Sequence, residues 1–171
     1  MKKIVVTYFE PFGGRTTNAS KEVVSLLDGF QIKELPVSWN RVVENIDDLL
    51  SANPDYLFLV GEAGSYRQIT IERTAHNIAN GKDNDGVIKN DEPIINGGVD
   101  LKTTFEISTL PYSISDNAGK YLCNYTYYQV LLKTKETKAL FIHLPYIEEA
   151  GQNSVICLKE DLLNIINILI K

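Results

Sequence analysis

Apolar residues gather in short runs through the first third of the chain and recur at helical spacing at its end. Residues 3–8 (KIVVTY) read as a buried strand that stops at a Pro/Gly loop, Phe9-Glu10-Pro11-Phe12-Gly13-Gly14. A short helix is expected from about Ser20, its apolar side built from Val23, Val24, Leu26 and Leu27. Residues 30–36 (FQIKELP) alternate as a strand does. Ser38 then suits the cap of a helix whose inward positions are Val42, Val43, Ile46, Leu49 and Leu50. Asn53-Pro54-Asp55 breaks that helix, and Tyr56–Val60 is a second apolar run ending at Gly61. The order strand–helix–strand–helix–strand argues for a parallel sheet with helices on its faces. Farther on, residues 68–75 (QITIERTA) alternate, with Ile69 and Ile71 on one side and Glu72 on the other. Residues 80–98 are rich in Asn, Asp and Gly and read as loops with a hairpin among them. Residues 117–133 predict a helix with Asn117 as its cap, residues 138–142 (KALFI) a strand followed directly by His143, and the stretch from about Asn153 a final helix.

Composition narrows the class. The chain has 171 residues, 44% hydrophobic and 23% charged, proportions of a globular protein of one domain over 1–171. A net charge of −5 gives no general attraction for nucleic acid or an anionic membrane. The opening run is shorter than a secretory core, and no stretch approaches the ~20 apolar residues of a membrane span. A soluble, cytoplasmic protein is the expectation. Two cysteines and two histidines without paired spacing offer neither a disulfide framework nor a zinc site, so no metal and no cofactor are expected. The glycine loops FGGRTT and GEAGSY lack the spacing of phosphate-cradling motifs.

Chemistry therefore rests on few residues. Cys123 falls about a turn and a half into the helix expected from Asn117, where the helix dipole lowers a thiol's pKa; a buried cysteine acting as a small hydrophobe is the plainer alternative. Cys157, in the last helix, has no evident partner. His143 follows a strand, where sites form in open α/β sheets, and can move a proton near neutral pH. His76 has no local motif. Glu72 is either an inward carboxylate or half of a surface ion pair with its neighbour Arg73. One cysteine, one histidine and one carboxylate make up the parts of a Cys-His-acid triad.

The ordered blocks FEPFGG (Phe9 to Gly14), VGEAG (Val60 to Gly64), ITIER with Asn77 beyond it, DEPI (Asp91 to Ile94), STLP (Ser108 to Pro111), NAGKYLCNY (Asn117 to Tyr125) and FIHLPY (Phe141 to Tyr146) are distinctive. Over roughly residues 4 to 149 the chain resembles the pyroglutamyl peptidase I family. The resemblance implies a three-layer α/β/α sandwich on a mixed, largely parallel sheet. It implies a cysteine peptidase that removes N-terminal pyroglutamate from small peptides, with Cys123 as nucleophile, His143 as base and Glu72 as orienting acid. It further implies substrate contacts from Phe9 and Phe12, from the neighbourhood of Glu62 and Leu122, and from Lys82, which aligns with a family arginine near the oxyanion. Many members form dimers or tetramers, which leaves room for a homo-oligomer.

The chain also departs from that pattern. It is shorter than family members, and a helix between STLP and the Ser115-Asp116-Asn117 stretch is missing, so a hairpin or a lost strand is expected there. The family glutamine of GQAG is Glu62, the following Gly-Arg pair is Ser65-Tyr66, and the proline after Asn18 is Ala19. These changes keep two alternatives open: a cysteine amidase acting on another small acylated or cyclic amide, and a non-catalytic member acting as a binding protein.

Overall fold

A computed structural model describes residues 2–171. Its central sheet has six strands in the order β2-β1-β3-β10-β4-β9, from β1 (Ile4–Phe9), β2 (Gln31–Leu35), β3 (Tyr56–Glu62), β4 (Thr70–Glu72), β9 (Ser113–Ser115) and β10 (Lys138–Leu144). The first four in that order run parallel. β4 is antiparallel to β10, and β9 is parallel to β4, so the sheet is mixed and mostly parallel. Two ribbons flank it: β5 (Thr74–Ala75) with β8 (Leu101–Lys102), and the hairpin of β6 (Ala79–Lys82) with β7 (Ile88–Glu92).

Helices cover both faces. α1 (Ala19–Val24) and α4 (Val155–Leu169) pack over Val6, Phe58, Val60, Leu140 and Ile142. α2 (Arg41–Ser51) and α3 (Leu122–Lys133) pack over Val5, Leu57, Leu59 and Phe141. Strand periodicity explains this division, because side chains at i and i+2 share a face. The same parity carries Gly61 and His143 onto the α3 face, since Leu59 pairs with Phe141 and Gly61 with His143 in register. Glu72, opposite Phe141 on the antiparallel side, joins them.

Four expectations change. The strand at 68–75 splits at Arg73 into β4 and β5, which belong to different sheets. His143 lies inside β10 rather than after it. α3 starts at Leu122, not near Asn117. Asn117 instead turns the chain locally, its Oδ1 accepting from the Gly119 N–H at 3.1 Å, and Gly119 at φ 82 is incompatible with helix. Finally, β9 is neither lost nor folded into a hairpin. Its parallel crossover from β4 runs through residues 73–112, far above the ~10–12 residues such a connection requires. Phe105, Ile107 and Leu110 from that segment are buried on the α1/α4 face without forming a helix. Ser38 does cap α2's first turn, its Oγ accepting from the Arg41 N–H at 3.2 Å, although Asn40 directly precedes the helix.

Candidate active site

Three elements, α3, β10 and β4, meet at the carboxyl ends of β3 and β10. α3 brings Cys123 as its second residue, inside the first turn. Two side chains fix α3 against the β-structure beneath. Asn124 accepts from the His76 N–H at 2.8 Å and donates to the carbonyls of His76 and Ile78, each at 2.9 Å. Tyr127 donates its hydroxyl to the Glu72 carbonyl at 3.0 Å. The start of α3 is thereby held in place, and the Cys123 sulfur lies directly over Gly61. A Cβ added at Gly61 would come within 2.8 Å of both Cys123 Sγ and the Phe141 ring, so only glycine leaves room for the thiol there.

Glu72 and His143 are both buried and form a diagonal pair across β4 and β10. His143 Nδ1 donates to Glu72 Oε1 at 2.7 Å, which fixes the tautomer and leaves Nε2 on the open side of the ring. Tyr66 donates its hydroxyl to the same Oε1 at 2.8 Å, and its ring centroid is 5.6 Å from that of His143. Glu72 Oε2 is buried with no hydrogen-bond partner. Cys123 and His143 border one cavity of about 340 Å³, together with Phe12, Glu62, Tyr66 and residues 117–121. No hydrogen bond joins Sγ to the imidazole; bonds of this kind commonly tighten only when substrate is bound.

Electrostatics at the thiol oppose the expectation from helix position. Burial, followed by the charges of Glu72 and Glu62, pushes the Cys123 pKa up to about 12, and the backbone N–H at the helix start only partly offsets this. The resting group is a thiol, so a base must take its proton as it attacks. Tyr66 is likewise pushed up to about 12, first by burial, so it remains a donor across the neutral range.

The other expected residues divide. Phe12 lines the cavity, 5.9 Å from the Tyr121 ring. Phe9 ends β1 with its side chain in the core, 6.3 Å from Phe141, and Leu122 is core as well. Glu62 borders the cavity, but its two oxygens are engaged, Oε1 by Arg15 and Oε2 by the Ala19 N–H at 2.7 Å. A proline at position 19 would have no N–H to give, so Ala19 and Glu62 are matched departures. Lys82 is exposed on β6 and absent from the cavity wall; the lysine on that wall is Lys120, paired with Asp91 at 2.9 Å. Cys157 sits in α4's first turn, on the opposite face of the sheet.

Residues that the sequence reading passed over are Gly61, Lys120 and Tyr121, and Tyr66 was noted only as a departure from the family pattern, with no role at the Glu72–His143 pair. Only Gly61 carried a visible signal: a glycine inside an apolar strand marks a close approach. Among the described residues, no cluster of three or more metal-ligating acidic, His or Cys side chains occurs, and no helix is long and apolar enough to cross a membrane.

Comparison with known proteins converges on one family. Residues 2–159 match the sequence profile of the pyroglutamyl peptidase family. A pyrrolidone-carboxylate peptidase of Fusobacterium nucleatum is 38% identical over 172 residues, covering 87% of this chain and 80% of that protein. Among solved structures, a mutant pyrrolidone carboxyl peptidase from the hyperthermophile Pyrococcus furiosus superimposes with a TM-score of 0.87 at 32% identity, covering 98% of each chain. Pyroglutamyl peptidase I of Bacillus amyloliquefaciens gives 0.85 at 28% identity, covering 95% of this chain and 93% of that one.

Proposed function

Because the chain belongs to the pyroglutamyl peptidase family, we propose that it is a cysteine peptidase releasing N-terminal pyroglutamate from small peptides. The observation that carries this reading is the shared cavity in which Cys123 faces the Glu72-backed imidazole of His143.

The chemistry follows from the geometry. Pyroglutamate is an uncharged lactam, so its pocket needs an apolar wall and a few fixed polar groups rather than a counter-ion. Phe12 and Tyr121 offer aromatic surface, and the Glu62 charge is already matched by Arg15. The lactam carries no α-ammonium that would require a free carboxylate. As Sγ attacks the exocyclic carbonyl carbon, His143 Nε2 takes the thiol proton, and Glu72 stabilises the imidazolium that forms. The oxyanion falls near the start of α3, where the Cys123 N–H has no intrahelical partner and the helix dipole favours negative charge. Collapse breaks the C–N bond, and the proton on His143 passes to the departing amine. Water then attacks the thioester, giving its proton to His143, which returns one to the sulfur as it leaves. No step draws on a metal or cofactor.

The decisive assay is release of a fluorogenic amine from a pyroglutamyl-amide, run beside the open-chain glutamyl-amide and beside Cys123→Ala. Cleavage of the lactam substrate alone, abolished in the variant, supports the reading; equal cleavage of both, or none, overturns it. A second reading, a cysteine amidase for another small acylated or cyclic amide, is favoured by the two altered wall residues Glu62 and Tyr66 and gains only from the equal-cleavage outcome.

A further inference from the structure

We propose that Tyr66 is a positioning residue for the Glu72–His143 pair, forming a hydrogen-bonded relay with the edge strand β9 that holds the carboxylate in place and tempers its pull on the imidazole. The inference rests on the peptidase reading for its kinetic consequences, although the relay itself stands on geometry alone.

The Tyr66 oxygen has three neighbours within hydrogen-bond reach: Glu72 Oε1 at 2.8 Å, Ser115 Oγ at 3.0 Å and the Asn117 carbonyl at 3.2 Å. A phenol has one proton to donate, and the ionised carboxylate is the strongest and nearest acceptor. Ser115 Oγ already accepts from the Asn117 N–H at 2.9 Å, which leaves its own proton free for the phenol oxygen. The chain of donors then runs Ser115 to Tyr66 to Glu72, with His143 Nδ1 meeting the same carboxylate oxygen from the other side. Ser115 is also the register partner of Glu72 across β4 and β9. The edge strand that survives the shortened crossover thus contributes directly to the support of the site.

The need for such a residue lies in Glu72 itself. It is fully buried, and its Oε2 has no partner, so all its hydrogen bonding falls on Oε1. A buried carboxylate with few donors is costly to keep ionised and free to rotate. With Tyr66 in place, Oε1 is pinned toward His143 and part of its charge is drawn to the phenol. Without Tyr66, the carboxylate would hold a protonated imidazole more tightly while being worse oriented. The ring of Tyr66 also borders the cavity, so an effect on substrate binding has to be separated from an effect on the pair.

The test uses Tyr66→Phe and Ser115→Ala, with thermal melting to verify folding. In Tyr66→Phe, kcat on the pyroglutamyl-amide should fall about tenfold with KM within about twofold, as expected for losing one charge-assisted bond that acts through the pair. The acid limb of its pH–rate profile should move to higher pH, because protonated imidazole is released less readily. Ser115→Ala should shift both in the same direction by less. A substrate-independent readout is the downfield proton resonance of the His143 Nδ1–H, assigned by its loss in His143→Asn. It should move further downfield in Tyr66→Phe, where one competing donor to Oε1 is gone. An unchanged resonance in a folded variant overturns the proposal, and so does a rise in KM alone. Failure of the wild type to cleave the substrate would overturn the peptidase reading and leave the resonance test of the relay intact.

Discussion

The chain's two histidines each place Nδ1 2.7 Å from a carboxylate, His143 on Glu72 and His76 on Asp100, yet only one of them is equipped to act as a base. The difference lies at the other nitrogen. His76 Nε2 lies 2.6 Å from the Asp116 carbonyl, a pure acceptor, so both of its ring nitrogens face acceptors and the ring fits best as imidazolium. Its proton inventory is closed, and it works as a clasp between Asp100, just before β8, and Asp116, just after β9. His143 uses one nitrogen for orientation and keeps the other on the cavity shared with Cys123. A carboxylate partner alone therefore does not single out a candidate base; what sets His143 apart is a buried partner together with an unengaged Nε2 on the cavity it shares with Cys123.

Substitutions that separate the two should give the largest contrast. His143→Ala is expected to reduce kcat/KM by at least ~10³-fold, within the range for losing a general base, whereas His76→Asn should stay within about threefold at neutral pH. Comparable losses in both would erase the distinction. Next in size, Glu72→Gln keeps the shape but cannot favour the correct tautomer or balance an imidazolium, and about a 10²–10⁴-fold fall in kcat is expected. Asp100→Asn, the matching change at the other histidine, should lower the melting temperature and leave kcat nearly unchanged.

The smallest effect is in pH dependence. Burial pulls the His76 pKa down, but the bonds to Asp100 and the Asp116 carbonyl and the charges of both aspartates outweigh it, and the net shift is upward. A folded-state pKa above the unfolded value means stabilisation that is complete below about 6.5 and fades as pH rises through the folded value. Asp116 is itself held low by Arg73 and Thr74, so it stays charged throughout that window. The melting-temperature gap between wild type and His76→Asn should accordingly be widest near pH 5.5 and shrink toward pH 9. A gap that widens with pH would contradict the clasp.

Much of this arrangement was legible in the chain. Apolar runs gave the parallel strands, and alternation put Glu72 on the side opposite Ile69 and Ile71, while leaving open whether it turned inward or paired with Arg73, which in the fold pairs with Asp116. Other features depend on contacts that periodicity does not encode. Phe9 and Phe12 look equivalent in FEPFGG, but Phe9 is the last residue of β1 and strand parity sends it into the core, while Phe12, in the loop, reaches the cavity. The stretch 117–121 has helix-compatible composition, yet the Asn117 turn and the left-handed Gly119 delay α3, which moves Cys123 into its first turn. Position near a helix start suggested an activated thiolate. Burial beside two carboxylates reversed that sign, because desolvation of a charge outweighs a helix terminus when the group leaves solvent. Tyr66 stood out in the sequence only as a departure from the family pattern; its bonds to Glu72 and Ser115 could not be read there because those partners come from separate strands.

The central claim is that Cys123 carries the acyl group. Enzyme turning over a pyroglutamyl ester can be quenched in acid and its peptides weighed by mass spectrometry. One pyroglutamyl adduct on the peptide containing Cys123, absent from Cys123→Ser, is the predicted result. An adduct on Cys157, or product release with Cys123 replaced by alanine, would contradict it.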